Sequence, residues 1–177
     1  MLREHPGTAG VMYYYQSASD NNKTQNTVSE LMSIVSAVNG LYAGQQNYKG
    51  LNGAVLYNTS AVPENYKGAG NKITHPFGDE VNIGPVNNGD DGYYVLLKQI
   101  PKAACVNLAT MNFGTSMAGV GVGDIETAIS GQKASQTPPA GATATANRNT
   151  MYTGAFTPSQ ASSVCSDDYN DTGYQLK

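Results

Sequence analysis

Charge is scarce in this sequence: Lys, Arg, Asp and Glu make up 13% of its 177 residues, about half the usual share. Ten Lys and Arg stand against thirteen Asp and Glu, a formal charge of −3, so the bulk surface has no electrostatic footprint for gripping a phosphate backbone and direct nucleic-acid binding is excluded. Histidine is nearly absent, occurring only at His5 and His75. A nucleophilic triad needs a base held by a third group, and His75 beside Pro76 reads as a loop histidine instead. The two cysteines, Cys105 and Cys165, lie far apart and belong to no C-x-x-C spacing; with two histidines they do not readily assemble a structural zinc site. Long apolar runs are also missing. No stretch approaches the roughly 20 residues that cross a bilayer, and no signal peptide is present.

What acidic and glycine patterns exist carry little chemistry. The pairs Asp90-Asp91 and Asp167-Asp168 are poor acid/base couples, because neighbouring carboxylates point apart and both pairs lie in turn-like sequence. The tail from Asp168 to Gly173 faintly resembles a calcium loop, yet its bidentate Glu would fall beyond Lys177. In the run Gly119 to Gly123, Asp124 stands where a dinucleotide fingerprint wants its third glycine. A Gly-rich strand or bend is the simpler reading. No catalytic residue, metal or cofactor is therefore expected, and the chain reads as something other than an enzyme.

Gly, Tyr, Asn, Ser and Thr fill the surface instead, as on an extracellular protein. The length fits one domain. A structural disulfide is the natural reading of the two cysteines, which would place the protein in an oxidising compartment; two buried free thiols are the alternative. Residues 1–10 have the look of a vector-derived leader, with native sequence from about Val11. The run Val11-Met12-Tyr13-Tyr14-Tyr15, followed by polar residues, reads either as the interfacial end of a membrane helix whose apolar part lies upstream or as a frayed, solvated end.

Over residues 24–42, Val28, Leu31, Val35, Val38 and Tyr42 recur at three- and four-residue steps, flanked by Met32, Ile34 and Leu41, which predicts an amphipathic helix with those five on its core face. Ser29, Ser33, Ser36 and Gly40 share the other side. That stripe of small residues is a candidate subunit contact, or a polar face that simply meets water. Residues 43–75 read as a long connecting loop. Strands are expected near 80–86 and 92–99, joined by the Asn-Gly-Asp-rich turn of 87–92. Pro101 opens a helix bearing Cys105, and weaker strands are expected at 114–122 and 150–156. Thr157 and Gln160 form a capping-box signature for a short helix that ends at Cys165.

Taken in order, these features resemble the type IV pilins, and among them the type IVb major pilins of the PilS type. The resemblance spans residues 11–177 and rests on the tyrosine-ended apolar run, the helix around Val28 to Tyr42 and Pro76-Phe77-Gly78. It rests also on the strand running into Pro101 and Cys105, and on the late Cys165. It implies an α+β fold: a long N-terminal helix packed on an antiparallel sheet, with a C-terminal region (within 76–177) bounded by a Cys105–Cys165 disulfide. It implies also a structural subunit that self-assembles into surface filaments for adhesion, aggregation or cell-cell contact. Its partners would be further copies of itself, a pilus assembly machinery and a surface receptor, with the membrane touched only through a hydrophobic N-terminal helix. A minor pilin, a secretion pseudopilin or a secreted carbohydrate-binding module are the competing readings. The family's cleavage site and assembly glutamate are not found, so a soluble truncation is expected.

Overall fold

The computed structural model describes the backbone of residues 6–177 and the side chains from Asp20 onward. Helix α1 runs over Pro6–Leu41, 36 residues or about 54 Å at 1.5 Å per residue. It begins well before the expected 24–42, taking in part of the supposed leader; proline is tolerated at a first helical position, where its missing N–H has no partner to lose. Residues 1–5 and the side chains of the tyrosine run lie outside the described residues.

Two threonines accommodate themselves inside α1 by bonding back to the preceding turn. The Thr24 hydroxyl donates to the Asp20 carbonyl (2.8 Å) and the Thr27 hydroxyl to that of Lys23 (2.7 Å), so both polar groups are satisfied while buried. Of the expected core face, Leu31 and Val38 are fully buried, while Val28, Val35 and Tyr42 pack against the core from its margin. Ile34, read as a flanking residue, is instead at the centre of the face. The burial stripe follows Thr24, Thr27, Leu31, Ile34 and Val38, a three-four ladder that shares only Leu31 and Val38 with the expected face.

The segment after α1 is less loop-like than its composition implied. It holds the short helix α2 (Gly53–Tyr57), capped by the Asn52 side chain, two 3-10 turns and strand β1 (Ile73–Thr74). Leu51, Leu56, Val62 and Ile73 are buried. Their spacing has no period because each anchors a separate turn.

Strands β2 (Glu80–Pro85) and β3 (Tyr93–Pro101) form the expected antiparallel hairpin, with Val81 opposite Leu97 and Pro85 opposite Tyr93. The turn uses left-handed backbone at Asn87, Asn88, Gly89 and Gly92, conformations that Asn and Gly accept most readily. At Gly92 no other residue fits, since a Cβ would lie 2.0 Å from the Leu176 carbonyl oxygen. Helix α3 (Lys102–Ala109) follows, then β4 (Met117–Val122), α4 (Glu126–Gly131), α5 (Pro158–Val164) and β5 (Tyr169–Leu176). Residues 150–156, expected to be a strand, contribute only isolated bridges through Tyr152 to Val120 and Gln136.

β5 follows directly on the exposed bend at Asp167 and Asp168 and is a strand that the sequence reading did not expect. The sheet order is β1-β2-β3-β5-β4, all antiparallel, so the last strand of the chain lies between two earlier ones. Residues alternate across the sheet as the pleat requires: Tyr93, Val95 and Leu97 join the main core, which includes Leu31, Ile34 and Val38 of α1. Leu96 faces the other way, into a smaller cluster with Ile125, Ile129 and Met151. The Tyr93 hydroxyl lies 3.4 Å from Asn39 Oδ1, joining sheet to helix.

Candidate functional site

The disulfide predicted between Cys105 and Cys165 is formed. Its Cα atoms are 5.9 Å apart and both residues are fully buried, within the span a bridge accepts. α3 holds Cys105, while Cys165 caps the C-terminus of α5. α5 in turn is started by the expected capping box: the Thr157 hydroxyl accepts the Gln160 N–H (3.2 Å) and Gln160 Oε1 accepts the Thr157 N–H (3.0 Å). The Thr172 hydroxyl donates to Cys105 Sγ at 3.4 Å, tying the bridge to β5.

His75 is a buried brace. Its Nε2 lies 2.5 Å from the Lys98 carbonyl and its Nδ1 accepts the Phe77 N–H at 3.1 Å. With both ring nitrogens occupied it holds the turn after β1 against β3, and burial lowers its pKa below the ordinary histidine value, against the opposing pull of the Lys98 carbonyl and Asp79. The aspartate pairs are likewise structural. Asp91 accepts from the Asn87 amide (2.9 Å) inside the hairpin turn. Asp167 pairs with Arg148 at 3.1 Å. Among the described residues no three His, Cys, Asp or Glu side chains gather as a metal site.

One acidic residue that the sequence reading passed over is more unusual. Glu30 is 4% exposed, and neither carboxylate oxygen has a hydrogen-bond partner. Burial alone pushes its pKa up to about 8. The signal was available: position 30 falls one helical step from Thr27 and Ile34, on the edge of the buried face.

Two surface features remain, and they differ in character. Ser29, Ser33, Ser36 and Gly40 are all exposed. Ser33, Ser36 and Gly40 join Met32, Ala37 and Leu41 as one wall of an open groove of about 630 Å³, whose other wall is residues 59–61. Ser29 lies outside it. No charged side chain lines this groove, and Met32 and Leu41 are each 47% exposed. Close to its upper end, Tyr42, Tyr48 and Tyr93 stack with ring centroids 5.5 and 5.0 Å apart, pinning the end of α1 to the connecting segment and the sheet.

The second feature is an exposed aromatic in an acidic setting. Tyr169 opens β5 and is 60% exposed. It borders Phe77, Asp79 and Gln99 on one side and Asp124, Arg148, Asp167 and Asp171 on the other. Gln99 adopts φ 53°, where the β3–β5 register shifts between Leu97 and Ile100, and its N–H donates to Asp171 Oδ1 at 2.9 Å. Lys98 pairs with Asp171 at 3.1 Å. Arg148 reaches Asn170 Oδ1 (2.8 Å) and the Val164 carbonyl, so the basic groups here are already engaged.

Comparison with known proteins bears on what such surfaces serve. The bundlin family model matches residues 16–175. The major structural subunit of bundle-forming pilus from Escherichia coli O127:H6 (strain E2348/69 / EPEC) is 50% identical over 177 residues, covering 96% of this chain and 85% of that protein. The protein of the same description from Escherichia coli O111:H- matches to the same extent. Among solved structures, the type IV b pilin from Salmonella typhi superposes with a TM-score of 0.57 at 15% identity, covering 89% of this chain and 99% of that one. TcpA, a type IV pilin from Vibrio cholerae El Tor biotype, gives 0.56 at 16% identity, covering 88% and 99%. At those identities the two structures speak to the fold.

Proposed function

Since this chain belongs to the bundlin family and is a type IVb pilin, a structural subunit of a pilus, we propose that it is the major subunit. Copies of it assemble into cell-surface filaments that serve adhesion, aggregation or cell-cell contact. The observation that carries this reading is the 50% identity to major subunits across nearly the whole chain. Before assembly the subunit is held at the inner membrane on its N-terminal side, where an assembly machinery acts on it; no helix among the described residues is itself long and apolar enough to cross a membrane. Once assembled, the filament meets a receptor on another cell.

The stripe Ser29, Ser33, Ser36 and Gly40 and the segment 44–71 are the surfaces we assign to contact between copies. The exposure of the four stripe residues, and the open groove that three of them share with residues 59–61, support this. The test is deletion of the gene in the parent bacterium. Surface fibres should disappear and return with the wild-type gene, and this chain should account for most of their protein mass. Fibres of unchanged composition in the deletion strain would refute the assignment, and a trace contribution to the mass would make the chain a minor pilin.

A further inference from the structure

Three properties of the groove and of Tyr169 complement one another. The first is shape and polarity. The groove mixes the apolar side chains of Met32, Ala37 and Leu41 with the hydroxyls of Ser33 and Ser36. A tyrosine has the matching make-up, an apolar ring with a polar tip, and such side chains serve as interface anchors. Tyr169 is 60% exposed, more than Met32, Leu41 or Val55, the other exposed large hydrophobics among the described residues.

The second property is charge. The groove lining is uncharged, but the segment 44–72 that supplies its far wall holds Lys49, Lys67 and Lys72 against Glu64, a net charge of +2 around it. Around Tyr169 stand Asp79, Asp124, Asp167 and Asp171, with Asp168 next to it in sequence and Glu126 paired to Lys98, against Lys98 and Arg148, a net charge of −4. Opposite fields of this kind favour one orientation of approach and suppress the like-with-like alternative.

The third is position. Tyr169 lies beside Phe77, whose ring is 6.0 Å from the Lys23 ammonium. The groove spans Met32 to Leu41, at the level where Asn39 meets Tyr93. From Lys23 to Asn39 is about 24 Å along the helix axis at 1.5 Å per residue. Two different patches separated in this way, joined in one direction from copy to copy, give a heterologous contact, which propagates as a filament when the rotation does not close.

We infer that Tyr169 of one copy seats in the groove between α1 and residues 59–61 of the next, forming a repeated head-to-tail contact of the fibre. This rests on the pilin reading and names the residues that would carry it.

Cross-linking in fibres decides the matter. The full natural subunit carrying Tyr169→Cys together with Ser36→Cys should, after mild oxidation of sheared fibres, run as a ladder of covalent oligomers on a non-reducing gel, while neither single substitution does so. Fibres that form but give no ladder overturn the contact and leave the pilin reading intact. Absence of fibres from the wild-type chain would remove both. Should the pair itself stop fibre formation, Tyr169→Phe and Tyr169→Ala settle it. The phenylalanine variant keeps the ring and should retain fibres, whereas the alanine variant should lose about ten-fold or more of the fibre yield, the scale of a lost aromatic anchor, with the melting temperature of the 177-residue chain unchanged. Equal fibre yields from the two overturn the contact.

Discussion

At the scale of single residues, Glu30 is the group whose state most depends on solution conditions. Its carboxyl has an ordinary value of 4.5 when unfolded and is pushed up to about 8 by burial. The folded state therefore prefers the protonated form, so stability is fully present below pH 4.5 and declines as pH rises towards 8, levelling off above it. Each pH unit in that window costs about 1.4 kcal/mol. Glu30→Gln removes the titration. We expect the variant to match wild type at pH 4 and to be more stable by up to about 3 kcal/mol at pH 7, as measured by urea denaturation across pH. A gap that does not change with pH would show that Glu30 is ionised in the folded protein. His75 works in the opposite sense: its lowered folded pKa means stability present above pH 6.5 and lost as pH falls.

At the scale of elements, the disulfide joins α3 to the end of α5 across a sequence separation of 60. In the chain-entropy model, opening a loop of that length costs roughly 4 kcal/mol. Cys105→Ser and Cys165→Ser should each lower the unfolding free energy by about that amount, and the two together by no more than either alone, since they break one bond. Unchanged thermal melting in both would contradict this. These elements were the legible part of the sequence: the Pro101 start of α3, the Thr157 and Gln160 box of α5 and the Asn-Gly turn between β2 and β3 are local signals, each readable from a few neighbours.

β5 was not legible, and the reason is physical. Its sequence, Tyr-Asn-Asp-Thr-Gly-Tyr-Gln-Leu, looks like a turn because Asn170, Thr172 and Gln175 are polar, yet all three are buried. Each has its partner elsewhere in the fold: Asn170 with Arg148 and Asp167, Thr172 with the disulfide, and Gln175 with the Ile129 and Gln132 carbonyls and the Ala134 N–H. A central strand can carry such residues when long-range partners satisfy them, and those partners are invisible to a local pattern. The groove escaped for a similar reason. The stripe on α1 was readable, but its opposite wall at residues 59–61 comes from an aperiodic segment whose path depends on the burial of Leu56 and Val62.

At the scale of the whole molecule, β5 pairs with β3 along Tyr93 to Pro101 and with β4 along Met117 to Val122. Without it, β3 and β4 have no neighbour in common and Tyr174, whose hydroxyl donates to the Leu108 carbonyl, leaves the core. A chain ending at Asp168 should therefore fail to fold, whereas removal of Lys177 alone should be tolerated. Far-UV and near-UV circular dichroism of the two truncations would distinguish them, and a native-like near-UV spectrum from the shorter one would count against the central role of β5.

That arrangement also orders events in time. Because the middle of the sheet is written in the last eight residues before Lys177, no earlier portion of the chain can complete its own architecture while synthesis is under way. Each subunit becomes competent only once residues 169–176 are free to pair, and a copy interrupted or clipped before them announces itself as unfinished instead of entering a fibre as a near-perfect impostor.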